Sequence, residues 1–467
     1  MDEEKVNLRS GPDSATRDSV APGKDKEFEK EEQGELPWYK QRKLSSAKND
    51  PFGDEEDADV KYKSMEWWQA AMIMIAETVS LGILSLPSVL ETIGMAPGVI
   101  LIAGLGILAT YTGYVFWQFK MAYPHVHNMA DAGEVLCGRI GREIGGAAQT
   151  IFLIFSMASH ILTFTIAFNA MTGHATCTIV WGVIGVIVFF LLTLPRTLKK
   201  VSYLSIVSFM SITGSILITM IGVGVSKPNP HPVAVNHVSF AKAFLAVTNI
   251  IFAYAGHVAF FSFISELKDP RDFPKGLFLL QITDTLLYII VAVVVYRYAG
   301  PSVKSPAIGS ASPIVMKVAY GIALPTILIA GVIYAHVAAK YVYVRLFRGT
   351  KHMQKKTFLA VGSWVAITLT FWIIAFVIAE SIPDFNDLLA LISSVFASWF
   401  TYGLGGVFWL YMNKGMYGKK WYLTLLNVGL VIMGAAIMGL GLYASGTAIK
   451  EGGGASWSCK DNSVGTG

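Results

Sequence analysis

Ionisable side chains are scarce in the apolar stretches of this sequence, so the few present mark where chemistry can occur. Glu77 opens the run Glu77-Thr78-Val79-Ser80-Leu81-Gly82-Ile83-Leu84-Ser85-Leu86-Pro87. His257 closes Phe252-Ala253-Tyr254-Ala255-Gly256-His257, and His336 and Lys340 stand four residues apart in a third stretch. Glu91, His160 and Asp284 are further ionisable residues in or beside such stretches. A charge at mid-membrane costs about 2.5–3.5 kcal/mol and by default marks a functional position. Carboxyl, imidazole and amine groups in such surroundings can take up and release a proton. Glu77, His257, His336 and Lys340 are therefore proton-coupling candidates. Glu77 can instead orient its segment, the histidines can be packed and hydrogen-bonded, and Lys340 can snorkel toward an interface beside Arg345. Glu91 and Asp284 also suit water-facing or paired roles. The sequence has no His-Glu-x-x-His, no Cys/His metal spacing and no Gly-x-Ser-x-Gly, so no catalytic residue, metal ligand or cofactor is expected. No repeated selectivity filter suggests a channel.

Small residues and glycine interrupt two apolar runs near their middles, at Ser80–Gly82 and at Tyr254–Gly256. Small residues in one membrane helix can simply allow close packing. Two interruptions five helices apart point to a binding site between inverted halves. Unwound backbone there offers N–H and C=O groups to a polar ligand. Donors around Ser80, Leu81 and Gly82 suit a carboxylate, and carbonyls around Phe252 to Ala255 suit an ammonium group. Thr78, Ser80, Leu81, Gly82, Phe252, Tyr254, Ala255 and Gly256 are the substrate-binding candidates, with Tyr254 either a pocket wall or core.

These residues must be held by membrane-spanning helices. The chain has 467 residues, 53% hydrophobic and 15% charged, with mean hydropathy +0.51. A soluble domain is roughly 25% charged. Eleven apolar runs of about 20 residues are expected to cross a bilayer: 68–90, 96–119, 147–173, 178–194, 201–225, 240–263, 277–299, 313–347, 357–379, 385–412 and 421–445. The fold class expected is all-α integral membrane, a five-plus-five inverted repeat plus one extra helix, with helices 1 and 6 broken. The organisation reads as a disordered tail over 1–64, repeats over 65–225 and 226–412, helix 11 within 413–445, and a terminal tail over 446–467.

Charge sets the expected orientation. Residues 1–64 hold 17 of the 32 acids and 12 of the 37 bases, and lack the apolar content to fold. No apolar signal-peptide segment opens the chain. Placing this tail in the cytosol puts most loop Lys and Arg inside, which predicts an extracellular C-terminus. The excess of bases is then loop charge rather than a nucleic-acid surface. The lysines and serines of the tail are candidate sites of regulatory modification. Of the three cysteines, only Cys177 and Cys459 share an oxidising side, which makes them a candidate disulfide.

Ser80-Leu81-Gly82-Ile83-Leu84-Ser85-Leu86-Pro87 resembles the helix 1 stretch of the amino acid/auxin permease family. Tyr254-Ala255-Gly256-His257, with Glu266-Leu267-Lys268-Asp269-Pro270 and Phe273-Pro274, resembles that family's helix 6 signature, Leu267 replacing the usual methionine. The resemblance spans roughly residues 65–445. It implies the fold of the amino acid–polyamine–organocation superfamily and proton-driven symport of neutral amino acids, aliphatic and aromatic, at the plasma membrane. The alternatives are a vacuolar member of the family and a transporter-like amino acid sensor. The resemblance also places the most widely shared sodium site of the fold between the helix 1 break and hydroxyls of helix 8. The stretch Ile327–Val344 has no serine or threonine, and His336 and Lys340 stand there instead.

Overall fold

The computed structural model describes residues 63–196, 199–226, 232–350, 352, 355, 357–451 and 456–463. Contacts divide the chain into two units, Met1–Lys48 and Asn49–Gly467, and all described residues belong to the second. The expectation of a disordered, modifiable tail falls, apart from residues 63 and 64, outside the described residues.

The helices are α1 (Trp67–Ile93), α2 (Met95–Ala122), α3 (Met129–Thr172), α4 (Thr178–Thr193), α5 (Lys199–Ser226), α6 (Phe240–Ala253), α7 (His257–Glu266), α8 (Phe273–Ala299), α9 (Pro313–Phe347), α10 (Phe358–Ser381), α11 (Phe385–Ile392), α12 (Leu404–Met412) and α13 (Trp421–Glu451). A π-helical segment, Ser393–Gly403, joins α11 to α12 in one run, and α6 and α7 form the two halves of another. Among the described residues ten runs are long and apolar enough to span a membrane, and α4 is a shorter apolar helix of 16 residues. Pro195 follows its C-terminus, where proline disfavours continued helix.

Packing is reciprocal. α1 runs along α8, while the α6–α7 pair runs along α2; α1 meets α5, while α6 meets α11 and the π-helical segment. Such exchange of neighbours is what inverted five-helix repeats produce. α1, α3 and the α6–α7 pair are largely enclosed, whereas α10 and α13 leave wide apolar faces outward, as lipid-facing helices do.

Two boundaries differ from expectation. α3 begins at Met129 rather than near residue 147. Asn128 caps it by accepting from the Asp131 N–H at 2.9 Å. The chain then kinks at Gly138 (φ +63°) and folds back until a Cβ on Gly133 would lie 2.1 Å from the Gly141 carbonyl oxygen. Only glycine allows that turn and approach. α13 runs on to Glu451 instead of ending at Ser445, so the terminal tail begins as helix.

The larger correction concerns helix 1. α1 is continuous from Trp67 to Ile93. Its hydroxyls bond back onto its own backbone: Ser85 Oγ donates to the Gly82 carbonyl at 2.9 Å, and Thr78 Oγ1 lies 2.9 Å from the Met74 carbonyl. Pro87 lacks an N–H and sits inside the helix, which weakens the turn that closes on Ile83 without opening it. Helix 6 does break, as expected. α6 ends at Ala253, and α7 starts after the turn Tyr254-Ala255-Gly256.

Candidate functional site

α1 and the break in span 6 touch directly. A Cβ built on Gly82 would lie 2.6 Å from Ala253 Cα, and one on Gly256 would lie 2.9 Å from Thr78 Cγ2. Residues 78 and 82, one turn apart on α1, therefore meet 256 and 253 in antiparallel order. With α1 intact, the N–H groups of Ser80, Leu81 and Gly82 belong to a helix and are not the free donors expected. The helix-start donors at this seam are instead the first N–H groups of α7, of which that of Ala259 donates to the Gly256 carbonyl at 3.2 Å.

Polar contacts radiate from this seam. Thr78 Oγ1 lies 2.7 Å from Asp284 Oδ2 on α8. One turn along α8, the Tyr288 hydroxyl donates to the Ala253 carbonyl at 2.7 Å, so α8 holds both α1 and the end of α6. On the opposite side, His160 Nδ1 lies 2.8 Å from the Ser156 carbonyl. A carbonyl only accepts, so Nδ1 carries the proton and Nε2 accepts from the Ser80 hydroxyl at 3.3 Å. The Tyr334 hydroxyl of α9 donates to the Glu77 backbone carbonyl at 3.4 Å. The Glu77 carboxyl is buried, and neither oxygen has a hydrogen-bond partner among the described residues. Leu81, Phe252 and Ala255 are buried around the seam. Tyr254 reaches away from it, donating to the Ile102 carbonyl of α2 at 3.0 Å, with Thr285 Oγ1 at 3.2 Å.

The other proton candidates lie elsewhere. His257 Nε2 donates to the Ala109 carbonyl of α2 at 2.9 Å, and its ring sits edge-on to Phe116 at 5.5 Å. His336 stacks near Trp364 of α10, ring centroids 5.5 Å apart. Lys340 is buried and ion-paired with Glu266 at the end of α7. The histidine and lysine thus serve different neighbours despite sharing a helix face, and Lys340 does not snorkel. Glu91 is half-buried beside Thr92. The tie between Lys340 and Glu266 is invisible in sequence, since 74 residues separate them.

Both ends of the bundle are fastened. At one end the Met65 N–H donates to the Glu266 carbonyl at 3.1 Å, and the Lys268 N–H donates to the Met65 carbonyl at 2.9 Å. An ion pair between Glu66 and Lys268 lies beside this bridge. At the other end Cys177 and Cys459 form a disulfide. There Thr178 Oγ1 donates to the Lys460 carbonyl at 2.6 Å, and Asn462 Nδ2 donates to Thr165 Oγ1 at 2.9 Å.

Comparisons with known proteins agree with this arrangement. Residues 63–447 match the family model described as "Transmembrane amino acid transporter protein". The chain is 36% identical over 418 residues to the "N amino acid transport system protein" of Neurospora crassa, covering 86% of this chain and 89% of that one. It is 26% identical over 396 residues to "Amino acid transporter AVT1H" of Arabidopsis thaliana, covering 80% and 87%. Among solved structures, a Na+-coupled sialic acid symporter in a substrate-bound outward-open state superposes with TM-score 0.54 at 10% identity, covering 88% of this chain and 96% of that one. A manganese transporter of Eremococcus coleocola superposes with TM-score 0.53 at 12% identity, covering 84% and 88%. These two share the fold, the inverted-repeat architecture known as LeuT-like. The chain belongs to the transmembrane amino acid transporter family, whose members include the amino acid/auxin permeases.

Proposed function

We propose that this chain is a secondary active symporter that couples protons to the uptake of neutral amino acids, aliphatic and aromatic, by alternating access. The substrate sits at the seam of α1 with the break in span 6. Its carboxylate takes the N–H groups at the first turn of α7, where the helix dipole is positive. Its ammonium takes carbonyls between Phe252 and Ala255, and Thr78, Ser80, Leu81, Gly82 and Gly256 shape the cavity. In this conformation Gly82 lies against Ala253, so entry requires span 1 and span 6 to separate, and Pro87 gives α1 a weak turn at which to open.

One observation carries the choice of proton over sodium. α9 meets the α1 backbone at Glu77 with a phenol donor, Tyr334, in a stretch without serine or threonine. Sodium wants several oxygen ligands, and Ile327–Val344 supplies no serine or threonine hydroxyl toward that contact. Of the proton-coupling candidates read from the sequence, Glu77 is the one at the seam; His257, His336 and Lys340 stand further off. The Cys177–Cys459 disulfide supports placing that end of the bundle on an oxidising side. The Met65 end is then cytosolic, with the plasma membrane as location. Uptake of a radiolabelled neutral amino acid into proteoliposomes, with competing amino acids, at two pH values and with or without sodium, tests the reading. Uptake should rise as external pH falls, collapse with a protonophore and ignore replacement of sodium. Strict sodium dependence without response to a pH gradient overturns it.

A further inference from the structure

Resting on that proton-coupled reading, we infer that Asp284 is the proton-binding site, and that the Thr78 hydroxyl passes its protonation state to α1. Asp284 is fully buried on α8, Oδ2 lies 2.7 Å from Thr78 Oγ1, and Oδ1 has no hydrogen-bond partner among the described residues. A buried carboxyl facing no cation avoids a large desolvation cost by holding a proton. The titratable groups that face it are the hydroxyls of Tyr288 on its own helix and Tyr254 from the break after α6, with Tyr334 of α9 beside Tyr288. Glu77 stands next to Thr78 on α1. The other packed helices, α2 and α5, offer no Asp, Glu, His, Lys or Arg over 95–119 and 203–226.

The geometry supplies a switch. Thr78 has one hydroxyl proton and two acceptors in reach, Asp284 Oδ2 at 2.7 Å and the Met74 carbonyl at 2.9 Å. When Asp284 is ionised, Thr78 donates to the carboxylate. When a proton adds to Oδ2, the new O–H donates to Thr78 Oγ1, and Thr78 turns its own proton to Met74. No bond but the added O–H is made, and the proton returns to water when it leaves. The reversal commits the Thr78 hydroxyl to an i−4 back-bond, which bends a helix, at the residue whose methyl touches Gly256. It thus links protonation to the contact between α1 and the break in span 6, which must part for substrate.

The test uses the full chain in proteoliposomes, reading accumulation under an inward proton gradient and substrate affinity against pH. A gradient of one pH unit sustains about tenfold accumulation for one proton per substrate. D284N should accumulate nothing beyond equilibration, and its affinity should no longer change with pH; D284E should restore the dependence. T78V removes the donor that favours the carboxylate and should move the pH midpoint up by about one unit. If D284N fails to fold, T78V decides, and an unmoved midpoint overturns the assignment. A gradient-driven wild type with equally driven D284N overturns the assignment alone, as does E77Q flattening the profile while D284N keeps it. A wild type that ignores the proton gradient but follows sodium overturns the coupling reading, and this assignment with it.

Discussion

Gly82 on α1 lies so close to Ala253 at the end of α6 that a β-carbon on the glycine would sit 2.6 Å from the alanine Cα. Backbone stands on the far side of that contact, so no side-chain rotation relieves it. The seam where substrate is proposed to bind is held shut by the absence of one methyl group.

Enlarging Gly82 should therefore wedge the seam apart. Overpacking costs about 1–3 kcal/mol, so G82A should cut uptake about tenfold and G82V abolish it. G104A serves as the control, since a Cβ at Gly104 has nothing within 4 Å. Initial-rate uptake normalised to folded protein distinguishes them. Wild-type uptake in G82V places the substrate elsewhere.

The break of span 6 was legible in Tyr254-Ala255-Gly256, because the small residues and glycine there are not rescued by hydroxyls one turn back. The same reading failed for Ser80–Gly82. There the chain stays helical, and Thr78 and Ser85 turn their hydroxyls back onto carbonyls of the same helix. The α3 start was hidden because Asp131, Glu134, Arg139, Arg142 and Glu143 read as a polar loop, although Asn128 and Gly138 carried the cap and turn signals. Asp284 was visible as a charge in an apolar run, but its partner Thr78 lies 206 residues away. Pairings at such separations are fixed by packing and leave no local pattern.

Lys340 and Glu266 form a buried ion pair beside the Met65–Leu267 bridge, joining α9, α7 and the segment before α1 at one end of the bundle. Removing one partner of such a pair costs about 3–5 kcal/mol, because the remaining charge loses its ion partner while staying buried. K340A and E266A should each lower the melting temperature in detergent by several degrees. The double replacement K340M with E266M, which leaves neither charge, should recover most of the loss. Equal melting of the singles and wild type would show the pair to be dispensable.

The disulfide at the other end makes a simpler statement. Cys137 is exposed and free, whereas Cys177 and Cys459 are bonded. Denatured, unreduced protein should take one maleimide per chain, and reduced protein three. C177S and C459S should melt alike and below wild type, since either substitution releases the segment that docks Asn462 onto Thr165. Three labels without reduction would remove the staple from the account.

Ser80 and His160 give the last prediction. The hydroxyl donates to Nε2 because Nδ1 is committed to the Ser156 carbonyl. Both side chains are buried; Ser80 lies about one turn along α1 from Glu77, whose carbonyl accepts from the Tyr334 hydroxyl beside His160. Among the described residues the Ser80 hydroxyl and Nε2 have no other hydrogen-bond partner, so S80A and H160A both break this bond, and H160A also loses the bond to Ser156. Their effects on substrate affinity should not add. A double-mutant cycle should give a coupling of about 0.5–3 kcal/mol, with the double variant little worse than H160A. H160N is the discriminating variant: an amide at the same place can still accept from Ser80, and should retain more of the affinity than H160A. Additive effects, with H160N no better than H160A, would mean that Ser80 reaches the substrate independently of the histidine.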